Sequence, residues 1–288
     1  TRCSKIGVFL LDDIFGLDGV GIRCYDKNLQ SRPDKKPYIF DKNTFYEKYI
    51  SYNYNISNKI KKECPVNSNV IVIIGQSNAA NSVMTKVYKN KNNLNYNPND
   101  DLCYELSEPV LGATGQLDSI TSSIGKKLKI SKPILFINRS VGGSKINQWI
   151  DFYAEDLNKI LKKVLEKNYL NSIIWIQGES ENIHTSKKYF ENFKIMNELI
   201  FKNLNTKFED TNIIITHSTY CGSDKSDKSD IKRNLDLQRK LIDEKWDNVR
   251  LLEISDNLDN TYRYDGCHFN RKGTETISNE ISKSINLN

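Results

Sequence analysis

Residues 70–74 are Val-Ile-Val-Ile-Ile, and they run without a polar interruption into Gly75-Gln76-Ser77-Asn78. A continuous β-branched run of this length predicts a strand buried on both faces, as in the interior of a parallel sheet. Gly75 ends the strand, and Asn78 with the small residues behind it can open a helix. A serine between a buried strand and a helix sits where open α/β sheets bind ligands, beside free backbone N–H groups. Taken alone, the segment favours a serine that merely caps a helix. The remainder of the chain reverses that preference.

Four more buried strands are expected beyond residue 130: 133–138, 172–176, 212–216 and 249–254. Between them lie helical patterns at 119–128, 157–165, 187–203 and 230–245, with a last helix from residue 272. In the second of these, Leu157, Ile160, Leu161, Val164 and Leu165 recur at three and four, the spacing of an amphipathic helix. Strands alternating with helices predict an α/β fold, a doubly wound five-stranded parallel sheet with helices on both faces. The Asn- and Lys-rich segment 88–108 reads as a long polar loop, either functional or a surface insertion. Residues 1–65 read as a small N-terminal extension. In it, residues 6–11 and 20–25 could pair as strands across Gly16-Leu17-Asp18-Gly19. The main domain is placed at 66–288.

Composition limits the function classes. The net charge of +6 is scattered, with no basic block interleaved with aromatics, so nothing supports nucleic-acid binding. No apolar run approaches the ~20 residues of a membrane helix. The three histidines, His184, His217 and His268, lie far apart and form no metal-binding spacing, so neither a metal nor another cofactor is expected. Six cysteines without a C-x-x-C pattern favour reduced thiols over bridges, and so a reducing compartment. The chain begins at Thr1 rather than Met, so the absence of a signal peptide decides nothing.

The carboxyl ends of the expected strands supply Ser77, Gly142-Gly143, Gln177 with Glu179, and His217, and the last loop adds Asp265-Gly266-Cys267-His268. Serine is a poor nucleophile until a base takes its proton. An imidazole can accept that proton and pass it to a leaving alcohol, which makes His268 the candidate base. Asp265, three residues earlier, can hold the other ring nitrogen. A lone D-x-x-H is more often a surface turn, and only the accompanying blocks favour the catalytic reading.

Those blocks resemble the SGNH hydrolases, and within them the sialate O-acetylesterase-like and acetylxylan-esterase-like carbohydrate esterases. The resemblance covers residues 70–280. It is carried by Gly75-Gln76-Ser77-Asn78, Val141-Gly142-Gly143-Ser144 with Trp149, Trp175-Ile176-Gln177-Gly178-Glu179-Ser180, and Asp265-Gly266-Cys267-His268-Phe269-Asn270. Glu108-Pro109-Val110-Leu111-Gly112 looks like a further family element. The resemblance implies an SGNH/flavodoxin-like sheet, a Ser77–His268–Asp265 triad, an acetylated carbohydrate as substrate and an oxyanion hole. The N–H groups of Ser77 and Gly143 would supply two donors of that hole. By resemblance the third comes from the block holding Gln177 and Glu179, and Gln177 is chosen because an amide donates whereas an ionised glutamate only accepts. Glu179 is expected to tie loops together. Trp149 is either a sugar-stacking wall or core packing, and Lys145 either meets an anionic substrate or is simply solvated. Two alternatives stay open: an esterase or lipase for longer acyl chains, and a carbohydrate-binding protein without turnover.

Overall fold

The computed structural model describes residues 56–86, 90–128, 132–221 and 229–287. A 3-10 turn at Ile56–Asn58 leads into β1 (Lys61–Lys62), β2 (Asn69–Gly75), β3 (Asn90–Asn97), β4 (Leu102–Leu106) and helix α1 (Thr121–Lys127). Next come β5 (Ile134–Asn138), the short helix α2 (Ile146–Gln148), a π-helical turn at Trp149–Tyr153, α3 (Ala154–Val164) and β6 (Tyr169–Gln177). The chain continues through α4 (Ile183–Lys187), α5 (Tyr189–Phe201), β7 (Asn212–His217), α6 (Ser229–Lys245), β8 (Val249–Leu252), α7 (Ile254–Asn257) and α8 (Arg271–Ser284).

The strands form one sheet in the order β1-β4-β3-β5-β2-β6-β7-β8. All five expected strands are present, as β2, β5, β6, β7 and β8, and each pairs in parallel with its neighbours. Numbered along the chain, these five stand in the order 2-1-3-4-5, with the ligand crevice of such a sheet at the carboxyl end of its first strand. Successive residues of β2 point to opposite faces and both faces are covered. Val70, Val72 and Ile74 pack with Leu157, Phe193 and Ile242 of α3, α5 and α6. Ile71 and Ile73 pack with Ile124, Ile277 and Ile281 of α1 and α8. The continuous apolar run is thereby explained, since neither face of β2 meets water.

Three expectations need correction. First, the segment 88–108 expected as a long loop carries β3 and β4, which extend the sheet beyond β5. The segment reads as polar because its buried asparagines bond to the backbone: Asn93 donates to Gly125 O (2.9 Å), while Asn95 donates to Leu111 O (3.1 Å) and accepts from Leu111 N–H (2.6 Å). Leu94 and Tyr96 fill the core between them. Second, the helix expected to open at Asn78 is not formed: residues 77–80 are a turn, and the Asn78 side chain bonds to Glu179, Cys267 and Phe269 instead of capping.

Third, the thiols at four positions are paired, Cys64 with Cys103 and Cys221 with Cys267. The partners lie 39 and 46 residues apart, so the topology brings them together and local spacing could not announce it. Cys3 and Cys24 lie outside the described residues, as do the strands expected at 6–11 and 20–25. Of the expected extension, Lys61–Lys62 pairs antiparallel with β4, next to the Cys64–Cys103 bridge.

Candidate active site

Ser77 lies two residues beyond the end of β2. Gly75 lets the strand turn there: its φ is +135°, and a Cβ would come within 1.9 Å of Ile176 O, so only glycine fits. Ser77 is half-buried in a turn whose other members are buried. Among the described residues, neither its N–H nor its Oγ has a hydrogen-bond partner.

The residues on either side of Ser77 are clamps. Gln76 Oε1 accepts from Gly178 N–H and Ser180 N–H, both at 3.2 Å, which seats the Ser77 turn on the loop after β6. The fully buried Asn78 reaches the opposite way. Its Nδ2 donates to Glu179 Oε1 (2.7 Å) and Cys267 O (3.3 Å), and its Oδ1 accepts from Phe269 N–H (3.0 Å). Asn78 therefore grips the backbone on both sides of His268.

His268 stands in a tight loop closed by the Arg263–Phe269 bridge. Its Nδ1 lies 2.7 Å from Asp265 Oδ2, and Asp265 Oδ1 accepts from the N–H groups of Cys267 (2.9 Å) and His268 (2.7 Å). Burial pushes the Asp265 carboxyl up, but these bonds outweigh it and hold the group below its ordinary value. An ionised Asp265 fixes the proton on Nδ1 and leaves Nε2 as the acceptor.

Arg263 supports the loop from behind. It is buried between the rings of Tyr220 and Phe269, and its guanidinium donates to Leu258 O (3.1 Å), Ser255 O (2.9 Å) and Cys267 O. The Cys221–Cys267 bridge ties the same loop to the segment after β7. Glu179 Oε1 also accepts from Ser218 Oγ, so this buried carboxylate joins the Ser77 turn, the loop after β6 and the end of β7.

The second glycine block packs on the first. Val141 N–H and Ser144 Oγ both donate to Gly75 O, at 2.9 and 3.2 Å. Gly142 N–H is taken by Thr114 Oγ1 (2.7 Å). Gly143, at φ +72° with open space where a Cβ would stand, keeps an N–H without an acceptor among the described residues. The N–H groups of Ser77 and Gly143 are thus both available.

Gln177, at the end of β6, is bonded within the protein. It is fully buried, and its Nε2 donates to Ser144 O (3.3 Å) and Glu181 Oε1 while its Oε1 accepts from Tyr189 Oη (2.9 Å). Both amide hydrogens therefore have acceptors inside the protein. Glu181, also buried, accepts from Ile146 N–H (2.8 Å), and burial pushes its carboxyl above the ordinary value despite these bonds. Trp149 is core: its ring meets Trp175 edge-on at 5.1 Å and its Nε1 donates to Ser144 Oγ (3.1 Å). His184 is exposed on α4, Lys145 is half-buried at the start of α2, and the backbone of His217 is in register with Gln177.

The candidate residues Ser77, Asp265 and His268 are held by side chains that the sequence did not single out as supports, Gln76, Asn78 and Arg263, and Gln177 is held by Glu181. For the first two a signal existed. Amides flanking a nucleophile carry a donor and an acceptor each, which is what bridging two loops needs. Arg263 had none.

The residue arrangement has relatives. The family model described as carbohydrate esterase, sialic acid-specific acetylesterase matches residues 67–286. No curated protein matches the chain by sequence. Among solved structures, a protein from Arabidopsis thaliana superposes with a TM-score of 0.58 at 17% identity, covering 76% of this chain and 98% of its own. NanS gives 0.52 at 12% identity, with 77% and 97% covered. Est24, a carbohydrate acetylesterase from Sinorhizobium meliloti, gives 0.50 at 10%, with 75% and 97% covered. At these identities the three structures speak for the fold.

Proposed function

Since the chain belongs to the carbohydrate esterase family of sialic acid-specific acetylesterases, we propose that it is a serine esterase that removes O-acetyl groups from a carbohydrate through an acetyl-Ser77 intermediate. The observation that carries this reading is the grip of Asn78 on both sides of His268, one residue from Ser77.

In the proposed reaction, His268 Nε2 takes the hydroxyl proton as Ser77 Oγ attacks the acetyl carbonyl. The N–H groups of Ser77 and Gly143 stabilise the oxyanion. On collapse, His268 returns the proton to the departing sugar hydroxyl, leaving acetyl-Ser77. A water deprotonated by His268 then attacks the acetyl group, and acetate leaves as Ser77 regains its proton. Asp265 holds the imidazole in the required tautomer throughout. Gln177 acts indirectly, holding Ser144 and so the turn that presents Gly143.

The test is acetate release from acetylated sialic acids and acetylated xylan by the wild type and by Ser77→Ala. Release by the wild type, with a loss of several powers of ten in the variant, is expected. A folded Ser77→Ala protein that keeps substantial turnover would refute the mechanism. A wild type that binds these glycans but releases no acetate would point to a binding protein.

A further inference from the structure

We infer that Tyr264 is a positioning residue for the reaction, holding the plane of the His268 imidazole by stacking on it. This rests on the proposed role of His268. The hydrogen bond to Asp265 fixes one ring atom, Nδ1, and a single bond leaves the ring free to pivot about it. A second surface is needed to hold Nε2 toward Ser77. Tyr264 supplies one: the two rings stack with centroids 5.8 Å apart and planes 21° from parallel.

The tyrosine is itself held at both ends. Its N–H donates to His268 O (3.0 Å), which pairs the two residues across the loop, and its Oη donates to Ser82 O (3.0 Å). Ser82 belongs to the segment that begins with Ser77, so the phenol spans from the nucleophile's side of the site to the base. Its hydroxyl is pushed up by burial and by the neighbouring Asp265 charge, which keeps it a donor. Core demand does not explain the residue, because Tyr264 is 38% exposed. A tyrosine left half in water yet pinned at its backbone and its hydroxyl is fixed for a purpose other than burial.

Tyr264→Phe keeps the ring and loses the Ser82 bond, Tyr264→Leu keeps apolar bulk without a plane, and Tyr264→Ala loses both. With 4-nitrophenyl acetate as probe, Leu and Ala should lower kcat about 10-fold while KM stays within about twofold, since misalignment acts on the transition state. Tyr264→Phe should restore most of the lost kcat. Carbethoxylation of His268 by diethyl pyrocarbonate, followed by mass spectrometry with exposed His184 as internal reference, should be faster in Leu and Ala than in wild type. Should Tyr264→Ala fail to fold, Tyr264→Leu carries the comparison. Wild-type kcat in Tyr264→Leu overturns the inference, as does a raised KM with unchanged kcat, which would make the ring a substrate wall. Activity in Ser77→Ala would instead overturn the underlying assignment of nucleophile and base.

Discussion

Asn78→Ala removes a side chain that joins three segments, and its cost can be worked from its bonds. The hydrogen bond to ionisable Glu179 is of the charge-assisted kind, about 1.5–3 kcal/mol. Phe269 N–H, buried in the structure, would lose its acceptor, at roughly 1–3 kcal/mol. Cys267 O keeps Arg263, and Glu179 keeps Ser218, so little more is lost. A destabilisation of roughly 2.5–6 kcal/mol follows, read as a lower urea midpoint with unchanged slope.

Activity should fall further than stability explains, because the loop that carries His268 loses its hold on the Ser77 turn. A displacement of ~1 Å at a catalytic group costs on the order of 10²-fold in kcat. Asn78→Asp sharpens the case: it still accepts from Phe269 N–H but confronts Glu179 with a second carboxylate instead of a donor. It should be less stable than Asn78→Ala at neutral pH and recover on acidification as one carboxyl takes up a proton. Urea unfolding followed by circular dichroism, with kcat on 4-nitrophenyl acetate under native conditions, makes the measurement. An Asn78→Ala protein within about 0.5 kcal/mol of wild type and within twofold in kcat would show that the amide bridges nothing of consequence.

Three further outcomes are expected. Hydrolysis of 4-nitrophenyl esters should drop at least ~10-fold in kcat/KM from acetate to octanoate if the acyl site is built for acetyl; equal or rising values would make the protein a longer-chain esterase. Gln177→Leu strips Ser144 O, Glu181 and Tyr189 of partners, so its melting temperature should fall by several degrees, at about 2–4 °C per kcal/mol. A Gln177→Leu protein of wild-type stability whose sole defect is a ~10²–10³-fold lower kcat would restore the direct donor role. For Glu181 the folded value is raised, so the stability its proton confers is full below the ordinary carboxylate value of about 4.3 and is lost as pH rises through the folded value. Relative to Glu181→Gln, the wild type should therefore lose melting temperature between pH 4 and pH 8, and parallel curves would show that the group does not titrate there.

What could be read from the chain followed from burial on two faces. A run such as 70–74 has no amphipathic alternative, so β2 and its four parallel neighbours stood out, and with them the strand ends that carry Ser77 and Gln177. Asn93, Asn95 and Asn97 hid β3 because a buried asparagine bonded to backbone looks, in sequence, like one in a loop. Gln177 shows a second limit. Its place at the end of β6 was legible, but the direction of an amide is decided by Ser144, Glu181 and Tyr189, none of which its neighbours in sequence reveal. The disulfides belong to the same class, set by which strands and loops the fold brings together and not by local spacing.

The bond from Phe269 to Asn78 spans 191 residues, and the one from Thr274 Oγ1 to Met84 O spans 190. Their consequence is temporal. As the chain is synthesised, the Ser77 turn can settle against β5 and β6 while the histidine loop does not yet exist. His268 comes last in the chain among the three proposed catalytic residues, ahead of α8, which docks on α1 through the Lys127–Glu275 ion pair. On the proposed mechanism, a chain released before this stretch would hold Ser77 without His268 to activate it. Hydrolysis would thus wait until the histidine loop has been made and docked against Asn78.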